Sequence, residues 1–296
     1  MRFTKMHGCG NDYVVVEALT GELAERFARA PIESAGDLAK ATCDRRFGVG
    51  ADGFVLILPE TRPDSDAGVE MRMYNPDGSY SAMCGNALRC VAKRLADSGD
   101  LAGEVVVVRT ADTLVPMRIV SRDADGKATV VEADLGAPEF APEAIPCRLP
   151  AGPEGDLRAA SIEDEGGART ATILSMGNPH CVLFVDEPPS DGLVASVGPP
   201  IETHAAFPER TNVEFVQVLS PTRLRQRTWE RGAGETLACG SGACAVAVAA
   251  ALTGRTERSV TIELLGGELD LCWREADGHV VMTGPAVEVF AGDWPR

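Results

Sequence analysis

The chain has 296 residues, 45% hydrophobic and 24% charged. That is a globular composition, long enough for two domains or one large one and unlike disordered, collagen-like or coiled-coil sequences. Forty-four acidic residues against 28 basic ones leave a net charge of −16, which excludes a nucleic-acid binder and a polybasic membrane-surface protein. Nine cysteines, an odd number, contain no C-x-x-C pair; they read as reduced thiols of a cytoplasmic protein, with no disulfide framework and no zinc site.

The opening Met1-Arg2-Phe3-Thr4-Lys5 runs into a polar Gly-Asn-Asp segment and carries no secretory h-region. Two short strands are expected around a Gly8–Asp12 turn, then a largely helical stretch from Glu22 to Arg46, broken near Pro31 and Gly36. Strands follow at Phe54–Leu58 and Glu70–Tyr74, and a turn at Asn75-Pro76-Asp77-Gly78. Cys84-Gly85-Asn86 opens a helix in which Leu88, Val91, Ala92 and Leu95 recur at helical spacing, with Gly99 as its C-cap. Three strands, Val105–Arg109, Val115–Val120 and Ala128–Ala133, complete the first half.

A Pro/Gly-rich crossover is expected over Leu135–Gly155. The second half then repeats the rhythm: strands Thr172–Ser175, Cys181–Val185, Val213–Leu219 and Arg223–Glu230, a Gly232–Gly234 turn, and Cys239-Gly240-Ser241 opening a second helix. Strands Val260–Leu264, Glu268–Trp273 and Val280–Thr283 follow. Thr236–Gly254 carries no charge, but its apolar core is too short for a membrane span, so it predicts a buried helix apolar all round. The two Cys-Gly pairs stand 155 residues apart, about half of 296. Helices set between runs of strands predict an α+β fold, duplicated in two halves.

Each of Cys84 and Cys239 precedes a helix, where free N–H groups and the positive end of the helix dipole favour a thiolate and bind a carboxylate. Gly85 and Gly240 let a ligand approach the backbone. Two thiols facing one carbon suggest stereoinversion: one removes a proton and the other delivers one from the opposite face. Cys9, Cys43, Cys147, Cys181 and Cys272 read as small buried hydrophobes, and Cys90 and Cys244 as core residues on the two helices. In Ser175–His180, Asn178 is a candidate ligand group and His180 a candidate modulator of a thiol. Glu230 and Arg231 could receive an amine and a carboxylate. Arg45-Arg46 reads as a charged helix end. No Walker, H-E-x-x-H, EF-hand or dinucleotide motif occurs.

At these residues the chain closely resembles the diaminopimelate epimerase family. Asn75-Pro-Asp77-Gly78-Ser79 followed by Cys84-Gly85-Asn86-Ala87-Leu88-Arg89 is similar to one family signature, and Glu230-Arg231-Gly-Ala-Gly-Glu-Thr-Leu-Ala-Cys239-Gly240-Ser241-Gly-Ala-Cys244 to the other. Lys5–Asp12, Met176–His180 and Met282–Ala286 match as well, in the family's order. The resemblance implies a PLP-independent, metal-free, cofactor-free epimerase that interconverts LL- and meso-diaminopimelate in lysine and cell-wall precursor synthesis, working as a cytoplasmic homodimer. It implies two halves, residues 1–134 plus 285–296 with Cys84 and residues 135–284 with Cys239. Each would be a curved, barrel-like mixed sheet wrapped around a central helix, with the site between the halves. Cys84 and Cys239 would be the acid/base pair. Asn11, Asn75, Gly85, Asn86, Asn178, Asn212, Glu230, Arg231, Gly240 and Ser241 would bind substrate, and His180 and Glu230 would modulate the thiols.

Three positions depart from the family pattern. Gly53 stands where members often carry Gln, Cys9 replaces an apolar residue, and Phe290 stands where some members have a dimer-interface tyrosine. Two other readings stay open: a proline racemase-like two-cysteine enzyme, which would usually carry Cys-Gly-His and Cys-Gly-Thr, and a Cys–His hydrolase using His180.

Overall fold

In the computed structural model, which describes residues 1–62, 65–101, 103–164 and 166–295, the chain divides into two compact units. These are Met1–Asp134 with Thr283–Arg296, and Leu135–Met282. Arg296, the last residue of the segment assigned from sequence to the first half, lies outside the described residues.

The first unit opens with a hairpin of β1 (Arg2–Gly8) and β2 (Asn11–Glu17). Its two-residue loop, Cys9-Gly10, has both φ angles positive, at 52° and 85°. This geometry follows the right-handed twist of the flanking strands and needs glycine at one position far more than at the other. Then come α1 (Gly21–Phe27), a 3-10 turn (Ile32–Ala35) and α2 (Gly36–Cys43), broken where Pro31 and Gly36 predict. Next are β3 (Gly53–Pro59), β4 (Val69–Tyr74), the short β5 (Tyr80–Ser81) and α3 (Gly85–Ser98). Gly99 ends α3 with a φ of 86°, the left-handed cap that its position predicts. The strands β6 (Val105–Thr110), β7 (Thr113–Arg122) and β8 (Ala128–Asp134) follow.

The second unit contains β9 (Leu157–Asp164), β10 (Gly167–Ser175), β11 (Pro179–Val185), α4 (Asp191–Glu202), β12 (Asn212–Ser220), β13 (Arg223–Glu230) and β14 (Gly234–Thr236). After α5 (Gly240–Leu252) come β15 (Ser259–Leu264), β16 (Gly267–Trp273) and β17 (Val280–Pro285); β18 (Val287–Asp293) then pairs with β1.

The strand pairing shows the duplication. In the first unit β18, β1 and β2 are antiparallel neighbours, β2 and β3 are parallel, β3 and β4 are antiparallel, and β4 and β6 are parallel across α3. In the second, β9, β10 and β11 are antiparallel, β11 and β12 parallel, β12 and β13 antiparallel, and β13 and β15 parallel across α5. Each unit is thus a mixed sheet whose parallel steps are made by helical crossovers. The strands next to a helix are buried on both faces: Gly53–Leu58 is apolar throughout. The outer strand β7 alternates, with Val115, Met117 and Ile119 inward and Arg118 and Val120 outward.

The central helices are enclosed by their own sheets. α3 packs against β1, β2, β4, β6, β7 and β8, and α5 against β10, β11, β12, β15 and β16. Gly240 and every residue from Gly242 to Ala250 are buried, as the uncharged stretch predicts. Among the described residues no helix is long and apolar enough to cross a membrane.

Several elements differ from the sequence reading. α4 was not expected, because Gly192, Gly198, Pro199 and Pro200 all disfavour a helix. It forms nonetheless: Ser190 caps it by accepting from the Leu193 N–H, and Val194, Val197 and Ile201 bury against Leu183, Phe207 and Phe215. The segment Leu135–Gly155 is more than a crossover, since Ile145 and Cys147 enter that same core. Cys272 is half-buried rather than a core hydrophobe and accepts from Ser259 Oγ at 3.4 Å.

α4 also sets the strand end that carries Glu230. Trp229 Nε1 donates to Glu202 Oε2 at 2.8 Å, and the Gly232 N–H donates to Glu202 Oε1 at 2.9 Å. A Cβ at Gly198 would lie 2.7 Å from Trp229 Cγ. The Gly198→Ala change gains about 1 kcal/mol of helix propensity but over-packs a ring fixed by Glu202, at a cost of about 1–3 kcal/mol. The expected result is a net loss on the order of 1 kcal/mol in urea unfolding followed by circular dichroism; a gain in stability would show that Trp229 is free to move.

Candidate active site

Cys84 and Cys239 are each the N-cap residue of an enclosed helix, in extended conformation with φ of −152° and −114°. That matched placement puts a thiol beside the unpaired N–H groups of α3 in one unit and of α5 in the other.

In the first unit Cys84 is half-buried, and its Sγ lies 3.2 Å from the hydroxyl of Tyr13. Asn86 is buried and pinned: the wholly buried Arg89 donates to Asn86 Oδ1 at 2.8 Å and to the Pro285 carbonyl at 3.2 Å. Asn11 starts β2 directly after the Cys9-Gly10 loop. Asn75 begins the turn before β5, with its Nδ2 donating to Ser79 Oγ at 2.9 Å.

Arg45 corrects the sequence reading, because it is not merely a charged helix end. It donates to Asp12 Oδ1 at 2.8 Å and to Asp52 Oδ1 at 2.7 Å, while Lys5 pairs with Asp12 at 2.7 Å. Burial opposes ionisation of Asp12, yet the Arg45 and Lys5 cations prevail and hold its carboxyl at about 2. This clamp ties the Asn11-Asp12 strand start to the loop before β3.

In the second unit Cys239 is 5% exposed. Its Sγ accepts from the Gly242 N–H at 3.4 Å and lies 3.6 Å from Ser241 Oγ. The helix end was expected to favour a thiolate here. Instead, burial and then the carboxylates of Glu230 and Glu214 push the thiol well above its ordinary value, outweighing the Gly242 N–H. Burial also raises Glu230, which bonds to Thr236 and to the Cys239 side chain.

His180 is wholly buried, with Nδ1 2.7 Å from Glu214 Oε1 and Nε2 2.9 Å from Asn178 Oδ1. Both ring nitrogens are engaged, so His180 is not the base of a Cys–His dyad. Asn212 bridges its neighbours, donating to the Pro179 carbonyl at 3.0 Å and accepting from the Arg231 N–H at 2.9 Å. Arg231 is exposed, and its Nη1 donates to the Glu209 carbonyl at 3.2 Å. Asn178, His180, Asn212, Glu230, Arg231 and Cys239 therefore share one hydrogen-bonded region of the second unit. Gly85, Asn86 and Cys84 share the start of α3 in the first. A separate groove of about 480 Å³ on the second unit is lined by Arg158, Arg169, Leu183, Phe215 and Arg255 and contains none of these groups.

Glu214 and Tyr13 were not singled out from sequence. Glu214 lies in the buried first half of β12 and reads from sequence like any strand carboxylate; only its contact with the buried His180 reveals its place. Its Oε2 is buried without a hydrogen-bond partner among the described residues.

A family model described as diaminopimelate epimerase matches residues 3–140 and 172–289. A relative of that name from Moorella thermoacetica is 48% identical over 295 residues, covering 100% of this chain and 99% of that protein. Another, from Pelotomaculum thermopropionicum, is 46% identical over 297 residues, covering 100% and 99%. A crystal structure of a hydroxyproline epimerase from Agrobacterium vitis shares the fold, with a TM-score of 0.65 at 17% identity over 99% of this chain and 91% of that one.

Glu214→Gln keeps a hydrogen-bonding side chain but removes a negative charge that disfavours the Cys239 thiolate. The thiol's ionisation should move to lower pH, and iodoacetamide should label Cys239 about tenfold faster at mildly alkaline pH. Unchanged labelling, read by mass spectrometry, would show that Glu214 does not act on the thiol.

Proposed function

Because the chain belongs to the diaminopimelate epimerase family, we propose that it interconverts LL- and meso-diaminopimelate by proton transfer at one α-carbon, with Cys84 and Cys239 as the acid/base pair. The observation that carries this reading is that both cysteines are N-caps of enclosed helices in duplicated units. One thiolate takes the α-proton, and the other thiol gives a proton to the opposite face of the same carbon. In the reverse direction the roles exchange. A single base returning its own proton would regenerate the starting stereochemistry, so the chemistry needs both thiols.

The α-proton of an amino acid is very weakly acidic. The N–H groups that open α3 and α5, at Gly85-Asn86 and Gly240-Ser241, would hold the substrate carboxylate and its developing enolate-like charge. Asn11, Asn75, Asn178, Asn212, Glu230 and Arg231 would hold the rest of the substrate, with Arg231 suited to grip a carboxylate through two parallel hydrogen bonds. Glu230 would set the protonation of Cys239 directly and His180 through Glu214. In this reading the reaction uses no PLP and no metal, and the protein works as a cytoplasmic homodimer.

The test is turnover of LL-diaminopimelate in deuterated water with pure, reduced protein; meso product with deuterium at the α-carbon is expected without added cofactor. Cys84→Ala and Cys239→Ala should each lose about 10²–10⁴-fold in epimerisation. Each should still exchange the α-proton of the one epimer whose hydrogen faces the remaining thiol. Near wild-type epimerisation by either variant would overturn the two-base assignment.

A further inference from the structure

Tyr13 is wholly buried in β2, and its hydroxyl stands 3.2 Å from Cys84 Sγ. Either atom can be the donor. The phenol therefore serves both states of the thiol: it donates O–H to a thiolate and accepts from an S–H. The parallel register of β2 and β3 sets Tyr13 beside Gly53. A Cβ added to Gly53 would lie 2.8 Å from Met73 Cε, 3.2 Å from Tyr13 Cδ1 and 3.2 Å from the Tyr74 carbonyl oxygen. The space that a side chain at position 53 would need is filled by the Tyr13 ring and the Met73 methyl.

We propose that Tyr13 is a positioning residue for Cys84, its hydroxyl holding the thiolate form by a hydrogen bond, and that Gly53 permits this contact by having no side chain. The inference rests on the reading of Cys84 as a proton-transfer group and adds what tunes it. A hydrogen bond to the charged form of an acid favours that form. Titratable groups of α3 and the β1–β2 loop also stand near Cys84. Burial pushes the Cys90 thiol up to about 12 and raises that of Cys9, which disfavours the charged form of both. The Arg89 guanidinium is committed to Asn86 and the Pro285 carbonyl and reaches Cys9 at 3.9 Å. The hydroxyl of Tyr13 is the neighbour that one substitution removes without disturbing these groups.

The two thiols are thereby tuned by different means. Cys239 is buried among carboxylates that favour its protonated form, whereas Cys84 faces a phenol whose bond to the charged sulfur is the stronger one and favours the thiolate.

The experiment uses the full chain carrying Cys239→Ser. Iodoacetamide labelling of Cys84 is followed by mass spectrometry across a pH series, with the half-buried Cys272 as an internal reference. Adding Tyr13→Phe, which keeps the buried ring, should slow Cys84 labelling about tenfold at neutral pH and move its midpoint to higher pH, with Cys272 unchanged. Gly53→Ala should move the midpoint the same way by a smaller amount, because its Cβ displaces the ring. In the otherwise native enzyme, Tyr13→Phe should lower kcat more than it changes KM. An unchanged Cys84 profile in Tyr13→Phe overturns the proposal and leaves the phenol as a core hydroxyl with a satisfied bond. If Tyr13→Phe does not fold, an unchanged profile in Gly53→Ala overturns it. The readout involves no turnover, so it is separate from the two-base reading, whose failure would appear as epimerisation retained by Cys84→Ala.

Discussion

A helix enclosed by a sheet has no water to satisfy the N–H groups of its first turn. In both units of this protein that constraint falls on the start of the central helix. The residue placed there, Cys84 or Cys239, offers only a sulfur, a weak acceptor. In α5 the sulfur takes a single N–H, that of Gly242, at 3.4 Å. A serine or aspartate cap would bind these donors far better and would consume them. The cysteine gives up cap strength and keeps an array of donors with the affinity for a carboxylate that a helix N-terminus provides. The same choice sets a titratable group at the edge of that array, so in the proposed reading the acid/base group and the carboxylate site would come from one structural decision, made twice.

The electrostatics around the second of these caps run against simple intuition. A helix dipole is worth at most about 2 kcal/mol in partly buried settings, and at Cys239 it meets burial and two carboxylates acting together. Burial wins, with the carboxylates behind it, and the thiol is pushed well above its ordinary value. For a two-base exchange this is useful. In the proposed exchange the pair would begin with one proton between two sulfurs, and surroundings that favour the thiol at Cys239 would favour that proton there. Glu230 is itself raised by burial, so the proton bonding around Cys239, Glu230 and Thr236 is tight and local. His180 stands one step further out, with its ring fixed at both nitrogens by Glu214 and Asn178. In the proposed reading its influence on the thiol would pass through those partners.

Much of this was legible in the sequence, for physical reasons. Strands with a wet face, such as β7, announce themselves by alternation, and the helix starts are marked by Cys-Gly pairs followed by helical spacing or by an uncharged run. The 155-residue offset between those pairs reflects a real repeat in strand pairing. What stayed hidden depends on contacts distant in the chain. α4 carries two prolines and two glycines and forms because its apolar stripe is buried against Phe207, Phe215 and Leu183. β18 follows a Gly-Pro pair and is held by pairing with β1, at the other end of the chain. Phe290 there packs edge-on against Phe3, with ring centroids 6.0 Å apart. Arg45 looked like a helix end because Asp12 and Asp52 lie 33 and 7 residues away, and only folding brings both to one guanidinium.

Two glycines packed against the neighbours of the thiols, Gly53 and Gly242, explain why such partners escape sequence reading. Neither Gly53 nor Gly242 has a positive φ, so neither is required by backbone conformation. Each is required by what stands against its Cα. At Gly242 a Cβ would meet Glu214 Oε1 at 2.7 Å and Cys239 Sγ at 3.2 Å; at Gly53 it would meet Met73 Cε at 2.8 Å and the Tyr13 ring at 3.2 Å. In each unit a missing side chain makes room for the group that sits beside the N-cap cysteine. Gly242 falls inside a dense Gly/Ser run, and Gly53 sits in an otherwise apolar strand, where a glycine reads as a weak point. Their function lies in the volume they leave to Glu214 and Tyr13, and that volume is defined only once β12 has come up against α5 and β2 against β3.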